Sequence, residues 1–130
     1  MAKKNKSQYK RPRNYFMIDH KLYLHPSYLS LSHMGIHLLV DMFFLYNGFN
    51  NGDISIVFND MKKRAWKSSG SLDKAKNELL ERGLIYLTRR GKKYGDCALY
   101  ALSWIPLDEC KNKLETDKKI GFIALELSKK

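Results

Sequence analysis

A nearly uninterrupted apolar stretch, running from Leu31 to about Asn47, constrains the fold of this chain more than any other feature. The stretch is predicted to form one long helix with Ser30 or Ser32 as its N-cap. Apolar side chains occur on nearly every side of that helix. It must therefore be surrounded, either by the rest of its own domain or by a partner subunit.

Three polar residues interrupt the apolar stretch: His33, His37 and Asp41, which share one narrow stripe of the helix. The longest apolar run, Met34 to Tyr46, has 13 residues and is broken by His37 and Asp41, so we do not expect it to span a bilayer. Histidine and aspartate at this spacing can ligate a metal, but no cysteine pair or further histidine completes a ligand set. We predict that the stripe forms a surface or dimer contact, with no metal and no membrane association.

The positive charge of the chain is concentrated in two blocks. The 130 residues include 24 lysines and arginines against 13 acidic residues, for a formal net charge of +11. Residues 1–18 and 60–93 contain all of the excess. Such an excess favours a polyanionic partner, either nucleic acid or an anionic membrane surface. The second block has the periodicity of folded elements, so its charge belongs to a folded surface.

The chain length fits a single domain with short tails. Residues 1–14 are basic and aperiodic, and we interpret them as a flexible arm. The domain is predicted over residues 15–106, followed by a C-terminal extension over 107–130. No apolar signal region begins the sequence, and Cys97 and Cys110 lack CxxC spacing. We therefore expect a cytoplasmic, nucleoid-associated protein with reduced thiols.

After the long helix, strand-like and helix-like periodicities alternate. The third helix is expected to begin after Ser68 as its N-cap, and Gly83 stands where a helix C-terminal glycine is expected. A basic, glycine-containing loop between the last two strands is typical of a hairpin. Residues 15–18 could form an additional short strand. The main predicted elements are a strand over 53–57, helices over 58–66 and about 68–82, and strands over 84–88 and 98–105.

This order of helix, strand, helix, turn, helix and hairpin predicts a winged helix-turn-helix domain of the α+β class. An α-helix fits the major groove of DNA, where base edges present distinguishable donors and acceptors. The third helix begins with the small residues Ser69, Gly70 and Ser71, which allow close approach, and its N-terminal amides suit a phosphate. We therefore predict non-catalytic binding of double-stranded DNA through this recognition helix.

The predicted DNA-binding residues fall into four groups. The recognition helix would reach base edges, and the second helix would contact flanking phosphates. The basic wing over 89–97 would reach an adjacent DNA backbone or the minor groove, and the amino-terminal arm would add positive charge. The residues are Ser68, Ser69, Ser71, Lys74 and Asn77 in the recognition helix; Lys62, Lys63, Arg64 and Lys67 in and after the second helix; Arg89, Arg90, Lys92 and Lys93 in the wing; and Arg11 and Arg13 in the arm.

Three stretches of the sequence, YNGFNNGDISI, DMKKRAWKSSGSLDKAKNELLERGLIYLTRRGKK and ALYALSWIPLDEC, carry a family resemblance. The chain resembles small winged helix-turn-helix proteins of bacterial genomes, prophages and mobile elements over about residues 15–110. The resemblance implies the fold and DNA binding, in transcription regulation or in DNA replication of a mobile element. Lys76 departs from the family pattern, because its position in the third helix is usually apolar in such domains. We therefore expect either that the helix is tilted or that Lys76 emerges at its edge.

Two alternative functions are open at this point. A winged helix can serve as a protein-interaction module, since fold alone does not determine function. RNA or single-strand binding would need Tyr86, Tyr94 and Tyr100 as an exposed stacking face, but strand alternation predicts that Tyr86 and Tyr100 are at least half buried. No catalytic motif or glycine-rich phosphate loop occurs, so we expect neither an enzyme nor a cofactor. Trp66 and Trp104 are predicted core residues, with Trp104 in the last strand.

The long helix presents more apolar surface than one helical layer and a small sheet readily bury. The surplus could pack on the C-terminal segment or on a second copy of the chain. Pairing two modest half-site interactions raises the affinity and specificity of DNA-binding proteins. We therefore predict a homodimer, with the long helix or the C-terminal segment in the contact. The apolar residues of that segment are Ile120, Phe122, Ile123, Leu125 and Leu127.

Overall fold

The computed structural model describes residues 15–91, 97–108 and 110. Over these ranges the chain is an α+β fold with a small three-stranded antiparallel sheet. The elements are α1 (His20–Tyr23), α2 (Pro26–Leu29), α3 (His33–Leu45), β1 (Ile54–Ser55), α4 (Phe58–Met61), a 3₁₀ helix (Lys62–Arg64), α5 (Ser69–Glu81), β2 (Ile85–Arg89) and β3 (Leu99–Leu102).

The long apolar helix predicted from the sequence is α3. Of the two N-cap candidates, Ser32 caps the helix, because its hydroxyl accepts a hydrogen bond from the Gly35 N–H at 3.1 Å. Leu38, Leu39 and Met42 are fully buried. The domain therefore covers most of α3 without a partner subunit.

The second predicted helix is shorter than expected. Only one α-helical turn forms, in α4, and a 3₁₀ turn follows it. Ala65 then takes the left-handed conformation with a φ of 74°, which is uncommon for a residue with a Cβ atom. This reversal ends the helix and directs Trp66 into the core, where it is 3% exposed. The prediction that Trp66 is a core residue is confirmed.

The third predicted helix is α5, and its local signals are confirmed. The Ser68 hydroxyl accepts a hydrogen bond from the Ser71 N–H at 3.1 Å. Gly83 follows the helix with a φ of 75°, a conformation that glycine adopts without a steric penalty. The apolar side of α5 packs on α3 and the sheet. Its buried residues are Leu72, Ala75 and Leu79.

The sheet has the order β1-β3-β2, so the last strand of the chain lies in the middle. β3 is antiparallel to both neighbours, with Leu102 opposite Ile85 of β2 and Tyr100 opposite Ile54 of β1. Every residue of β3 is buried. The two strands that the sequence predicted after the third helix are therefore the centre and one edge of the sheet.

Two sequence predictions about strands are wrong. Residues 15–18 form no strand; the segment is irregular and packs through Phe16, whose ring stacks on Phe43 with centroids 5.9 Å apart. Trp104 lies in a turn after β3 and is only partly buried. The strand ends early because the chain bends there towards the side chain of Asn51.

Asn51 is a fully buried polar residue that the sequence analysis did not identify. Its side-chain N–H groups donate to the carbonyls of Leu102 at 3.1 Å, Ile105 at 2.9 Å and Pro106 at 3.2 Å. Its side-chain oxygen accepts from the Leu102 N–H at 2.7 Å. The amide thus links the turn before β1 to the end of β3 and satisfies the N–H and carbonyl of Leu102, which burial removes from water.

Candidate nucleic-acid interface

One side of α5 is exposed over its whole length. Ser69, Lys74 and Asn77 are exposed, as is the N-cap Ser68, while the opposite side of the helix is buried. Ser71 is partly covered, and its hydroxyl lies 2.9 Å from that of Ser68. Four of the five residues predicted in the recognition helix therefore form a polar exposed surface, and the fifth takes part in the N-cap.

Three exposed lysines lie in the connection that leads to α5. Lys62 and Lys63 belong to the 3₁₀ helix, and Lys67 precedes the N-cap of α5. The buried Trp66 fixes the backbone between them. We call Lys62, Lys63 and Lys67 the lysine group; it places positive charge next to the N-terminus of α5, which itself favours anions.

Arg64 is placed differently from the neighbouring lysines. Its guanidinium carbon lies 4.5 Å from the centroid of the Phe44 ring, in a cation–π contact with α3. Its backbone carbonyl lies 3.0 Å from Nε2 of His37. To contact a phosphate as predicted, the Arg64 guanidinium would have to leave the Phe44 ring.

The described part of the predicted wing contains Arg89, Arg90 and Cys97. The Arg89 guanidinium donates to the Cys97 carbonyl through Nε at 3.3 Å and Nη2 at 2.9 Å, which joins the two ends of the loop. Arg90 is exposed. The other predicted binding residues of the wing and arm, Lys92, Lys93, Arg11 and Arg13, lie outside the described residues.

Two residues of the polar stripe of α3, His37 and Asp41, make contacts within the fold. Asp41 accepts a hydrogen bond from the Trp66 indole N–H at 2.7 Å. The His37 ring stacks on Trp66 with centroids 4.5 Å apart, and its Nε2 lies 3.4 Å from the Asp41 carboxylate. These contacts connect α3 to the chain segment that bears the lysine group. The surface or dimer contact expected of this stripe stays a prediction; His33, its first residue, is exposed.

Glu78 connects α5 to the beginning of α3. Its carboxylate accepts from the Ser32 backbone N–H at 2.8 Å and from the Ser32 hydroxyl at 2.7 Å. Arg82 lies 3.7 Å from the same carboxylate. Gly35 leaves the room for this contact, because a Cβ atom there would lie 2.6 Å from Oε1 of Glu78. No sequence pattern indicates this contact, since Ser32 is 46 residues away.

We expect the Glu78→Ala substitution to lower the free energy of unfolding by about 2 kcal/mol, because hydrogen bonds to a charged group are stronger than neutral ones. Urea denaturation followed by circular dichroism measures this loss. Glu81→Ala is the matched control, since Glu81 is an exposed acid of the same helix. Equal effects of the two substitutions would show that Glu78 does not stabilise the contact between α5 and α3.

Lys76 emerges at the edge of α5, in agreement with one of the two expectations for it. Its ammonium lies 3.5 Å from the Asp73 carboxylate and 5.7 Å from the centroid of the Tyr100 ring. The apolar stem of a lysine can cover a sheet in this way while the charge stays near water. Burial, and to a lesser degree the nearby Asp73, raises the pKa of Tyr100.

The strand tyrosines do not form an exposed stacking surface. Tyr100 is 6% exposed and Tyr86 is partly buried. Burial raises the pKa of Tyr86, so its hydroxyl stays neutral at physiological pH. The prediction that both are at least half buried is confirmed, and Tyr94 lies outside the described residues. This arrangement disfavours base stacking on the sheet.

Among residues 15–91, 97–108 and 110, no helix is long and apolar enough to cross a membrane. The same ranges contain no group of three histidine, cysteine or acidic side chains that could hold a metal ion. In comparisons with known proteins, no family model, no curated protein and no solved structure matched this chain. The family resemblance stays a prediction.

Proposed function

We propose that this chain is a winged helix-turn-helix domain that binds double-stranded DNA without catalysing a reaction. The main support is the continuous exposed surface of α5 and the lysine group. The helix order and the β1-β3-β2 sheet provide the scaffold expected of such a domain. Arg90, which follows β2, is exposed and adds a further positive charge.

In the proposed complex, α5 enters the major groove. Lys74 and Asn77 face the base edges, where lysine recognises guanine and asparagine recognises adenine. The lysine group contacts phosphates on one flank, and Arg90 with the rest of the wing contacts the other. Arg89 keeps the ends of the wing together through the Cys97 carbonyl.

The orientation of α5 is fixed by contacts away from the exposed surface. Leu72 and Leu79 anchor it in the core, and Glu78 joins it to the N-cap of α3. A helix held in this way loses little conformational freedom when it binds, which favours affinity. For the biological role, we propose transcription regulation or DNA replication of a mobile element, as the family resemblance implies, in the cytoplasm at the nucleoid.

Salt dependence is the direct test of the proposal. Neutralising about 4–7 phosphates should give a log–log slope of roughly −4 to −6 between the association constant and salt concentration, because counterions are released from the duplex. Fluorescence anisotropy with a labelled duplex at several salt concentrations measures the slope. A slope near zero, or no binding at low salt, would favour a protein-interaction module instead.

A further inference from the structure

An apolar groove of about 770 Å³ lies between the irregular segment before α1, the end of α3 and the residues that follow β3. Its lining residues include none of the lysines proposed to bind DNA. Its apolar lining includes Tyr15, Phe16, Met17, Phe44, Trp104 and Ile105.

The walls of this groove present large apolar side chains to solvent. Met17 is 66% exposed and Phe44 is 58% exposed, with Tyr15 and Phe16 at 40% and 41%. Isolated exposed apolar residues are ordinary, but a cluster of them around a concave surface marks a binding site. Phe44 also belongs to α3, so the groove contains the surplus apolar surface of that helix.

The chain leaves the described fold beside this groove. After Ile105, the Asp108 N–H donates to the Asn51 carbonyl at 2.9 Å, and the Asp108 carboxylate accepts from the Asn51 N–H at 2.7 Å. The Cys110 thiol lies 3.6 Å from the same carbonyl. The Asn51 side chain donates to the carbonyl of Ile105 at 2.9 Å, and Ile105 lines the groove. Residue 110 is therefore tethered close to one groove wall.

The remaining sequence contains a segment whose chemistry matches the groove. Residues 120–127 read IGFIALEL, with Glu126 as their single charged residue. Residue 120 lies ten positions after Cys110, a span of up to about 33 Å when extended, so the segment can reach the groove. The arm over 1–14 adjoins Tyr15, but its six lysines and arginines make it unsuitable for an apolar site.

We propose that residues 120–127 pack into this groove within the same chain. Phe122, Ile123 and Leu125 supply the apolar side chains, and the lysines on both sides of the segment stay in water. Burial of the two apolar surfaces against each other drives the contact. With the tail in this groove, the exposed Phe44 ring is covered without the homodimer that the sequence suggested. A second copy of the chain is the competing occupant.

The test uses the full chain with Phe122→Asp and Ile123→Asp together. Uncovering the groove should shift the indole N–H resonance of Trp104 and raise the fluorescence of a hydrophobic dye several-fold. Leu114→Asp is the matched control, because Leu114 is apolar and in the same tail but lies outside 120–127. It should change neither signal. Circular dichroism checks that all variants are folded.

Two results would overturn the proposal. One is a double variant whose Trp104 resonance and dye fluorescence equal those of the control. The other is measured by light scattering. The wild type would be a dimer, Met17→Asp in the groove would convert it to a monomer, and the tail substitutions would leave it dimeric. That second result would assign the groove to a second copy. A monomeric wild type together with the shifted Trp104 resonance supports the tail as occupant.

Discussion

Replacing Asn51 with alanine is expected to lower the free energy of unfolding by about 3–5 kcal/mol, since each buried polar group left without a partner costs about 1–3 kcal/mol. The substitution removes the partner of the Leu102 N–H and of the carbonyls of Ile105 and Pro106. A domain of this size has a total stability of about 5–15 kcal/mol, so the loss is a large part of it. Urea denaturation at fixed temperature, followed by circular dichroism, measures the change.

Two further variants separate hydrogen bonding from side-chain size. Asn51→Asp keeps the shape and the acceptor for the Leu102 N–H, but an ionised carboxylate cannot donate to the surrounding carbonyls. We expect it to be about as destabilising as alanine. Asn59→Ala removes an exposed amide in α4 and should change the stability by less than about 0.5 kcal/mol. If Asn51→Ala behaves like Asn59→Ala, the hydrogen bonds of Asn51 do not stabilise the fold.

Replacing the whole lysine group with alanine is expected to weaken duplex binding by about 10²–10³-fold at roughly 0.1 M salt, since three phosphate contacts and their released counterions are lost. The log–log salt slope should become shallower by about 2.7, or 0.9 for each lost contact. Sequence preference should stay the same, because phosphate contacts position a protein without reading bases. Anisotropy titrations with several duplexes measure all three quantities.

The charge-preserving triple variant, with arginine in place of Lys62, Lys63 and Lys67, is the matched control. Arginine keeps the positive charge and also binds phosphate, so affinity and salt slope should stay close to the wild-type values. An alanine variant with unchanged affinity and slope would show that this segment does not contact DNA. The proposed function would then have to rest on the wing and the arm.

Structural features that are set by residues close together in the chain were predictable from the sequence. Ser68 caps α5 through an N–H three residues away, and Gly83 ends the helix with a left-handed backbone. The buried and exposed sides of α5 follow from helical spacing, which is why Lys74 and Asn77 were identified as exposed candidates. These features are local because each depends on the backbone conformation of one turn.

Tertiary structure alone decided which distant residues meet. Glu78 reaches Ser32 across 46 residues, and Asn51 reaches Leu102 across 51. The same is true of Arg64, which was a predicted phosphate contact but packs on Phe44 of α3. Sequence periodicity does not predict such contacts, because they depend on how the helices and the sheet pack and not on spacing along the chain. The sequence determined the long helix α3 and the cap and exposed side of α5, which depend on residues a few positions apart. Packing determined how α5 is oriented and which of its charged neighbours are engaged within the fold.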